Sequence, residues 1–337
     1  MEFRPERVFV EAAARSHPVT DRVMATCEAV GIPVRLLGDR QRPTLDRDLD
    51  QAAAYRAAKR VLVLSVRKRA PLQSCRPSAH WQLPLSSSCP GLCSYCYLQT
   101  RHGKHPFVRA YVNVEEILSQ AAEAIAASGD DTSFEAAATS DPLPIEPYTG
   151  SLRRAIDWFG VSGGRLRLVT KYAEVDGLLD ADHQGRTRFR VSLAPPELAA
   201  RYEGGTPPVR ARLAALARMA AAGYPVGLMV APVFALPGWR EAYKALLEQA
   251  ARAVGGLSDL TLEFVTHRFT PRARDNIAAV FPDNGLPLDE TEGRSWKVGQ
   301  FGYGKWVYAK DVLEELRAFC LEQAGRLFPG AEVQYVV

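Results

Sequence analysis

Short β-branched and apolar runs recur along this chain, separated by polar segments whose apolar positions follow a helical period. The first eighty residues carry Val8-Phe9-Val10, a helical pattern near Asp21–Ala29, a run over Ile32–Leu36, an alanine-rich segment near Gln51–Lys59, and Val61-Leu62-Val63-Leu64. That order predicts a small α/β unit over residues 1–80 with no recognisable chemistry of its own. From Trp81 onward, strands are expected at Trp81–Leu85, Phe134–Thr139, Leu166–Thr170, Phe189–Leu193, Val226–Val230 and Thr261–Val265, mostly with a helical pattern after each.

Two helix starts fix the frame between those strands. Asn113, with Glu116 three residues on, reads as a capping box ahead of Val114, Ile117, Leu118, Ala121 and Ile125 on one face. Thr206-Pro207-Pro208 opens another helix, with Thr206 as its cap, and Gly223 closes it. Strands alternating with crossover helices imply a parallel sheet. Six units are too few for a closed eight-stranded barrel. The expected fold is therefore α/β: a partial (β/α)6 TIM-type barrel over 81–275, an N-terminal α/β extension over 1–80, and a C-terminal segment over 276–337.

Chemistry on such a sheet gathers at the carboxyl ends of its strands. The residues at those ends are a cysteine loop at 89–96, Thr139-Ser140-Asp141, Lys171-Tyr172, Ser192, Ala231-Pro232 and His267-Arg268. Singly, Ser140 or Asp141 would serve equally well as a helix cap. Their shared position marks one candidate site.

The chain has 337 residues, 47% hydrophobic, which is enough for a full core without a second subunit. A net charge of +4 is too small to indicate nucleic-acid binding by itself. The basic runs Arg67-Lys68-Arg69 and Arg101-His102-Gly103-Lys104-His105 bracket the cysteine segment, and two solvated loops explain them equally well. Met1–Arg7 is charged and followed by only a short apolar run, so neither a signal peptide nor a membrane span is expected. Three of the six cysteines lie in the loop; Cys27, Cys75 and Cys320 are scattered, which suits a reducing, cytoplasmic compartment.

Cys89-Pro90-Gly91-Leu92-Cys93-Ser94-Tyr95-Cys96 carries the most chemistry. Three thiols at C-x3-C-x2-C spacing can each take one iron of a cubane cluster, with Gly91 letting the backbone curl. The fourth iron is left open, and in the radical S-adenosylmethionine superfamily, which this spacing resembles, the methionine part of the cofactor chelates there. A structural zinc site is the alternative, with His102 or His105 as fourth ligand. The absence of a second C-x-x-C pair and the strand ahead of the loop favour the cluster.

Cys89–Thr100 continued by Phe107-Val108-Arg109-Ala110-Tyr111-Val112-Asn113 resembles the spore photoproduct lyase family. The similarity extends through Phe134–Asp141, Val169-Thr170-Lys171-Tyr172, Thr187–Ser192, Val230-Ala231-Pro232, Glu263-Phe264, His267-Arg268-Phe269-Thr270, and Phe328–Ala331 with Val333-Gln334-Tyr335. It covers nearly the whole chain. The resemblance implies repair of 5-thyminyl-5,6-dihydrothymine in damaged double-stranded DNA, with a [4Fe-4S] cluster on Cys89, Cys93 and Cys96 and S-adenosyl-L-methionine as cofactors. A 5'-deoxyadenosyl radical would abstract hydrogen from C6 of the lesion. It further implies Ser140, Lys171, Ser192 and Ala231 at the cofactor, Asp141, His267 and Arg268 on the substrate side, and Tyr95 and Tyr97 in returning the hydrogen. An electron donor such as flavodoxin or ferredoxin and a monomeric, cytoplasmic enzyme acting on spore DNA at germination are part of the same expectation.

Two positions depart from the family pattern. Ala138 stands where the family places a cysteine hydrogen donor, and an alanine C–H bond is too strong to replace a thiol. Either the residue has been substituted to trap a complex, or hydrogen returns by another route. Cys75 lies outside every matching motif and reads as an inert loop thiol. The second departure is in residues 296–308, whose interleaved aromatic, basic and glycine residues predict a β-hairpin that would wedge into the duplex. Its tip carries Gln300-Phe301 where the family has Arg-Tyr. Two further readings keep other outcomes open: a radical enzyme with a different nucleic-acid substrate, and a zinc-knuckle nucleic-acid-binding protein.

Overall fold

The computed structural model of the protein describes residues 2–45, 48–100, 106–136, 138–254, 256–257, 259–291, 293–299, 302 and 304–337. The N-terminal part forms a five-stranded sheet in the order Val34–Leu36, Arg7–Val10, Val61–Ser65, Val108–Tyr111 and Ser86–Ser87, parallel except for the last strand. Its central strands are apolar on both faces because both are covered. Val8, Val10, Leu62, Leu64, Val108 and Ala110 pack toward Val23 and Cys27 of the helix Pro18–Val30, whereas Phe9, Val61 and Val63 pack with Leu37, Ala58 and Phe107. Two strands of this sheet come from beyond residue 80. Val61–Ser65 needs a partner on each side, and Val108–Tyr111, not predicted as a strand, supplies one of them.

The second sheet is the partial barrel. Ala79–Gln82, Ser133–Glu135, Arg165–Thr170, Thr187–Leu193, Val226–Val233 and Leu260–Thr266 lie side by side in chain order, all parallel. Glu332–Val336 adds a seventh parallel strand, and Ser74–Cys75 an antiparallel edge. The first strand starts two residues earlier than expected and stops short of Pro84, which has no N–H to give the ladder. The second ends at Glu135, so Ala138, Thr139 and Ser140 lie past its end.

Helices cover the outer face. Phe134, Leu166, Leu168, Phe189, Val191, Leu262 and Phe264 join Leu152, Ile156 and Phe159 of the helix Ser151–Ser162, and Leu213 and Leu216 of Val209–Ala221, in one core. The inner face carries charge instead. Arg190, with no exposed surface, pairs with Glu135 and Glu263, while Arg167 pairs with Glu263 and Gln334. Gly227 makes room for this layer, because a Cβ there would meet Arg190 Cγ at 2.9 Å and Thr261 Oγ1 at 2.5 Å.

Two caps differ from the expected ones. Asn113 precedes the helix Val114–Ser128, but its side chain accepts from Arg67 N at 2.8 Å and donates to Arg67 O and Glu116, tying the chain to the loop after Val61–Ser65. Thr206 donates to Glu203 O at 2.7 Å and accepts from Arg212, while Pro208 stands at the cap of Val209–Ala221. Arg294–Val298 and Gly304–Tyr308 form the predicted hairpin, with Trp296 opposite Trp306.

Candidate active site

The cysteine loop is held from both sides. Lys59, buried, donates to Ser88 Oγ at 3.0 Å and to Cys89 O at 2.9 Å. Leu92–Cys93 pairs antiparallel with Glu203–Gly204, and Ser94 N donates to Tyr202 O. Gly91 is not in the left-handed region; the positive φ falls on Gly205, at +73°, whose carbonyl accepts from Tyr172 OH at 3.1 Å. The bend that accommodates the loop is therefore made by the segment it packs on.

All six cysteines are free. Burial pushes the Cys89 thiol up to about 11, with Lys59 opposing and Cys96 adding to the rise. Burial and the buried Glu203 carboxylate push Cys93 up, and Cys96 and Cys89 contribute. The three sulfurs thus lie in one another's fields. Bare thiolates are disfavoured there, and cationic iron is what relieves that cost. Among the described residues, no set of three or more His, Cys, Asp or Glu side chains forms a site for a single metal ion. A cubane spreads three cysteines over three irons and needs no such convergence, so the donor set fits it. His102 and His105 lie outside the described residues.

Lys171 organises the carboxyl ends of the barrel strands. Its Nζ donates to Ser192 Oγ at 2.8 Å, Glu203 Oε1 at 2.8 Å and Ala231 O at 3.3 Å. Three residues predicted from separate strand ends therefore meet. Asp141, buried, accepts from Thr170 Oγ1 at 2.8 Å, Lys171 N at 2.9 Å and Leu143 N at 3.2 Å. Burial raises its carboxyl to about 6 against these donors. Ser140 shares a 2.6 Å hydrogen bond with Ser86 Oγ and bridges Ser88 beside the cysteine loop.

The two predicted tyrosines face different partners. Tyr95 OH donates to Glu203, and its ring packs edge-on against Phe234. Tyr97, 58% exposed, donates to Ala138 O at 3.0 Å. Cys75 is not on a loop. It ends the antiparallel edge of the barrel, where burial and Glu135 raise its thiol to about 12 against Arg190 and Arg167.

His267 points toward the hairpin. Its Nδ1 faces Arg294 Nη2 at 3.0 Å, its ring lies against Phe234 and Phe269, and burial with the Arg294 charge lowers it to about 3, so it is neutral. Arg268 lies beside it, partly buried, in the field of Tyr97. Gln300 and Phe301 lie outside the described residues.

Three site residues carried no sequence signal. Glu203 is buried and forms ion pairs with Lys171 at 2.8 Å and Arg212 at 2.6 Å; burial opposes its ionisation, but these cations hold its carboxyl below the ordinary range. Arg212, also buried, donates further to Pro207 O and Ser192 O. Lys59 belongs to the N-terminal unit. A carboxylate in a Glu-Gly-Gly turn, an arginine within a helix and a lysine at a helix end are ordinary surface features in sequence.

This arrangement matches one family over its length. The family model described as spore photoproduct lyase matches residues 3–337. The chain belongs to the spore photoproduct lyase family. Spore photoproduct lyase from Clostridium acetobutylicum is 38% identical over 339 residues, covering 100% of both chains. The Bacillus subtilis enzyme is 40% identical over 337 residues, covering 99% of this chain and 98% of its own. Two solved structures cover 100% of both chains with TM-scores of 0.95: a spore photoproduct lyase with dinucleoside spore photoproduct, 40% identical, and a double variant with bound AdoMet and dinucleoside spore photoproduct, 41% identical. In that double variant a cysteine is changed to alanine and a serine to cysteine. The partial barrel is the fold of this family.

Proposed function

We propose that this protein is a radical S-adenosylmethionine carbon–carbon lyase that reverses spore photoproduct in DNA to two thymines. The observation that carries this reading is the family match over residues 3–337 of a chain whose three-cysteine loop is pinned, through Glu203, to Lys171. When bound, the [4Fe-4S] cluster and S-adenosyl-L-methionine supply the 5'-deoxyadenosyl radical that takes a hydrogen atom from C6 of the lesion.

The chain's own residues bind and orient. Cys89, Cys93 and Cys96 would hold the cluster. Lys171 and Ser192 present an ammonium and a hydroxyl at the strand ends, with Ser140 and the Ala231 carbonyl completing the cofactor side. Asp141 spends its acceptors on Thr170 and on the backbone at Lys171 and Leu143, so its part is to fix the strand end beside the lesion. Tyr97 stands at Ala138, where hydrogen must be returned. Tyr95 is directed at Glu203 and steadies that carboxylate. Arg268 and the hairpin strands Arg294–Val298 and Gly304–Tyr308 face DNA, and the sequence between those strands carries Gln300 and Phe301.

The same reading gives a monomer that takes electrons from flavodoxin or ferredoxin and works in the cytoplasm on germinating-spore DNA. No helix among the described residues is long and apolar enough to cross a membrane. The test is anaerobic incubation of reconstituted protein with reductant, S-adenosylmethionine and a dinucleotide lesion. Thymine release by a brown protein with about four irons per chain is expected. Stoichiometric zinc in a colourless protein, or an intact lesion, would overturn the reading.

A further inference from the structure

The hairpin sorts its side chains by register. Trp296 and Trp306 oppose each other on one face, with ring centroids 5.2 Å apart, and Trp296 is 51% exposed. One residue along, Lys297 and Lys305 oppose each other on the other face. Like charges placed directly opposite destabilise a ladder, so this pair is a cost to the hairpin unless something negative lies over it.

A third cation joins them. Phe269 and Trp306 exchange both backbone hydrogen bonds, which lays the tail of the sixth barrel strand antiparallel to Gly304–Tyr308. Phe269 then shares the tryptophan face, and Arg268 falls on the lysine face. Burial lowers Arg268, and burial together with the charges of Arg268 and Lys297 lowers Lys305. Among the described residues, no carboxylate pairs with any of the three. Arg294 on the same hairpin shows the contrast: it donates to His267 O at 2.7 Å and Pro287 O at 3.3 Å and lies 3.9 Å from the Tyr308 ring centroid. The face is also next to the reaction site, because Arg268 lies in the field of Tyr97, whose hydroxyl is bound at Ala138.

We propose that Arg268, Lys305 and Lys297 form a seat for one backbone phosphate of the damaged strand, on the side of the site where Tyr97 meets Ala138. A phosphodiester supplies the anion that this face lacks, and the partly buried Arg268 offers it donors in a fixed fork. The inference rests on the lesion reading above and adds to it a phosphate contact separate from recognition of the bases.

A dinucleoside lesion carries no phosphate, which makes it the control. Affinities of the anaerobically reconstituted protein with S-adenosylmethionine are compared for dinucleoside spore photoproduct and for a short single-stranded oligonucleotide bearing the same lesion. In Lys297→Gln/Lys305→Gln, the oligonucleotide Kd should rise about tenfold relative to that of the dinucleoside. The salt slope for the oligonucleotide should fall by about 0.7, the value for one phosphate on a single strand. Lys297→Arg/Lys305→Arg should keep both. An unchanged ratio of the two affinities, or equal losses for both ligands, would overturn the seat. If the unsubstituted protein binds neither lesion, the lesion reading fails and the seat falls with it.

Discussion

Replacing Glu203 by Gln tests the junction between the cysteine loop and the cofactor side most directly. The substitution keeps the shape and removes one charge, leaving Lys171 and the fully enclosed Arg212 without their counter-ion. At contacts of 2.8 and 2.6 Å, an effective dielectric constant near 20 gives about 6 kcal/mol of attraction for each pair. Desolvation of three charges cancels much of that, and breaking a buried pair from one side costs about 3–5 kcal/mol. The assay is a double-mutant cycle with Lys171→Met, read as the shift in denaturant midpoint and, in the reconstituted protein, as S-adenosylmethionine affinity. Because Lys171→Met removes one of the stranded cations, the double variant should be less destabilised than the two single changes added together, by about 1–3 kcal/mol. The reduced-cluster spectrum should change in Glu203→Gln, since the Glu203 carboxylate acts electrostatically on the Cys93 sulfur. Strict additivity, with an unaltered spectrum, would show that Glu203 is an isolated structural residue and that the loop is not coupled to Lys171 through it.

Other expectations follow from particular contacts. Ala138→Cys should raise thymine recovery and reduce adducts, and Cys75→Ser should lower recovery if the thiol on the barrel's edge strand, in the field of the inner-face charges Glu135, Arg190 and Arg167, is the one that returns hydrogen; product analysis on a dinucleotide lesion checks both. Glu146 accepts from Leu152 N and Arg153 N, and burial raises it to about 7, so its neutral form is favoured in the fold. A raised carboxyl stabilises below its unfolded value and loses that contribution as pH climbs through the folded one, about 3 kcal/mol between pH 4.5 and 7. Glu146→Gln should flatten the unfolding midpoint over that window. Arg294→Gln should release the hairpin, seen as lost hydrogen-exchange protection at Phe269 and Trp306 while the barrel strands keep theirs.

The barrel strands were legible because short runs whose outward positions are apolar, such as Leu166 and Leu168, Phe189 and Val191, and Leu262 and Phe264, recur between helical patterns. The same runs held a signal that periodicity passes over. Glu135, Arg167, Arg190 and Glu263 are charges inside apolar strands, and such positions mark the inner face of the barrel when they pair across strands. Strand ends named Ser140, Asp141, Lys171, Ser192 and Ala231, since chemistry in this architecture is placed by topology. Glu203, Arg212 and Lys59 escaped because their place beside the candidate site comes from burial against residues distant in the chain, which local pattern does not encode. Val108–Tyr111 escaped for a related reason: its alternating pattern is that of any edge strand, and only the run at Val61–Ser65 shows which sheet needs it.

The contacts of the two tyrosines also divide the labour of the site. A hydroxyl that delivers hydrogen must be free to reorient, and one bonded to a buried carboxylate is not. Tyr95 is bound to Glu203, which two cations hold ionised, so releasing it leaves a buried acceptor less satisfied, at about 1–3 kcal/mol. Tyr97, at an exposed position, gives up a bond to a carbonyl that is worth about 1 kcal/mol or less. Tyr97→Phe should therefore cut thymine recovery with little change in unfolding midpoint, while Tyr95→Phe should lower the midpoint and weaken S-adenosylmethionine binding through Glu203 and Lys171. A reversal of that pattern, with Tyr95→Phe silent in stability, would mean that the hydroxyl at Glu203 is the mobile one and that the carboxylate serves hydrogen return, not the cofactor side.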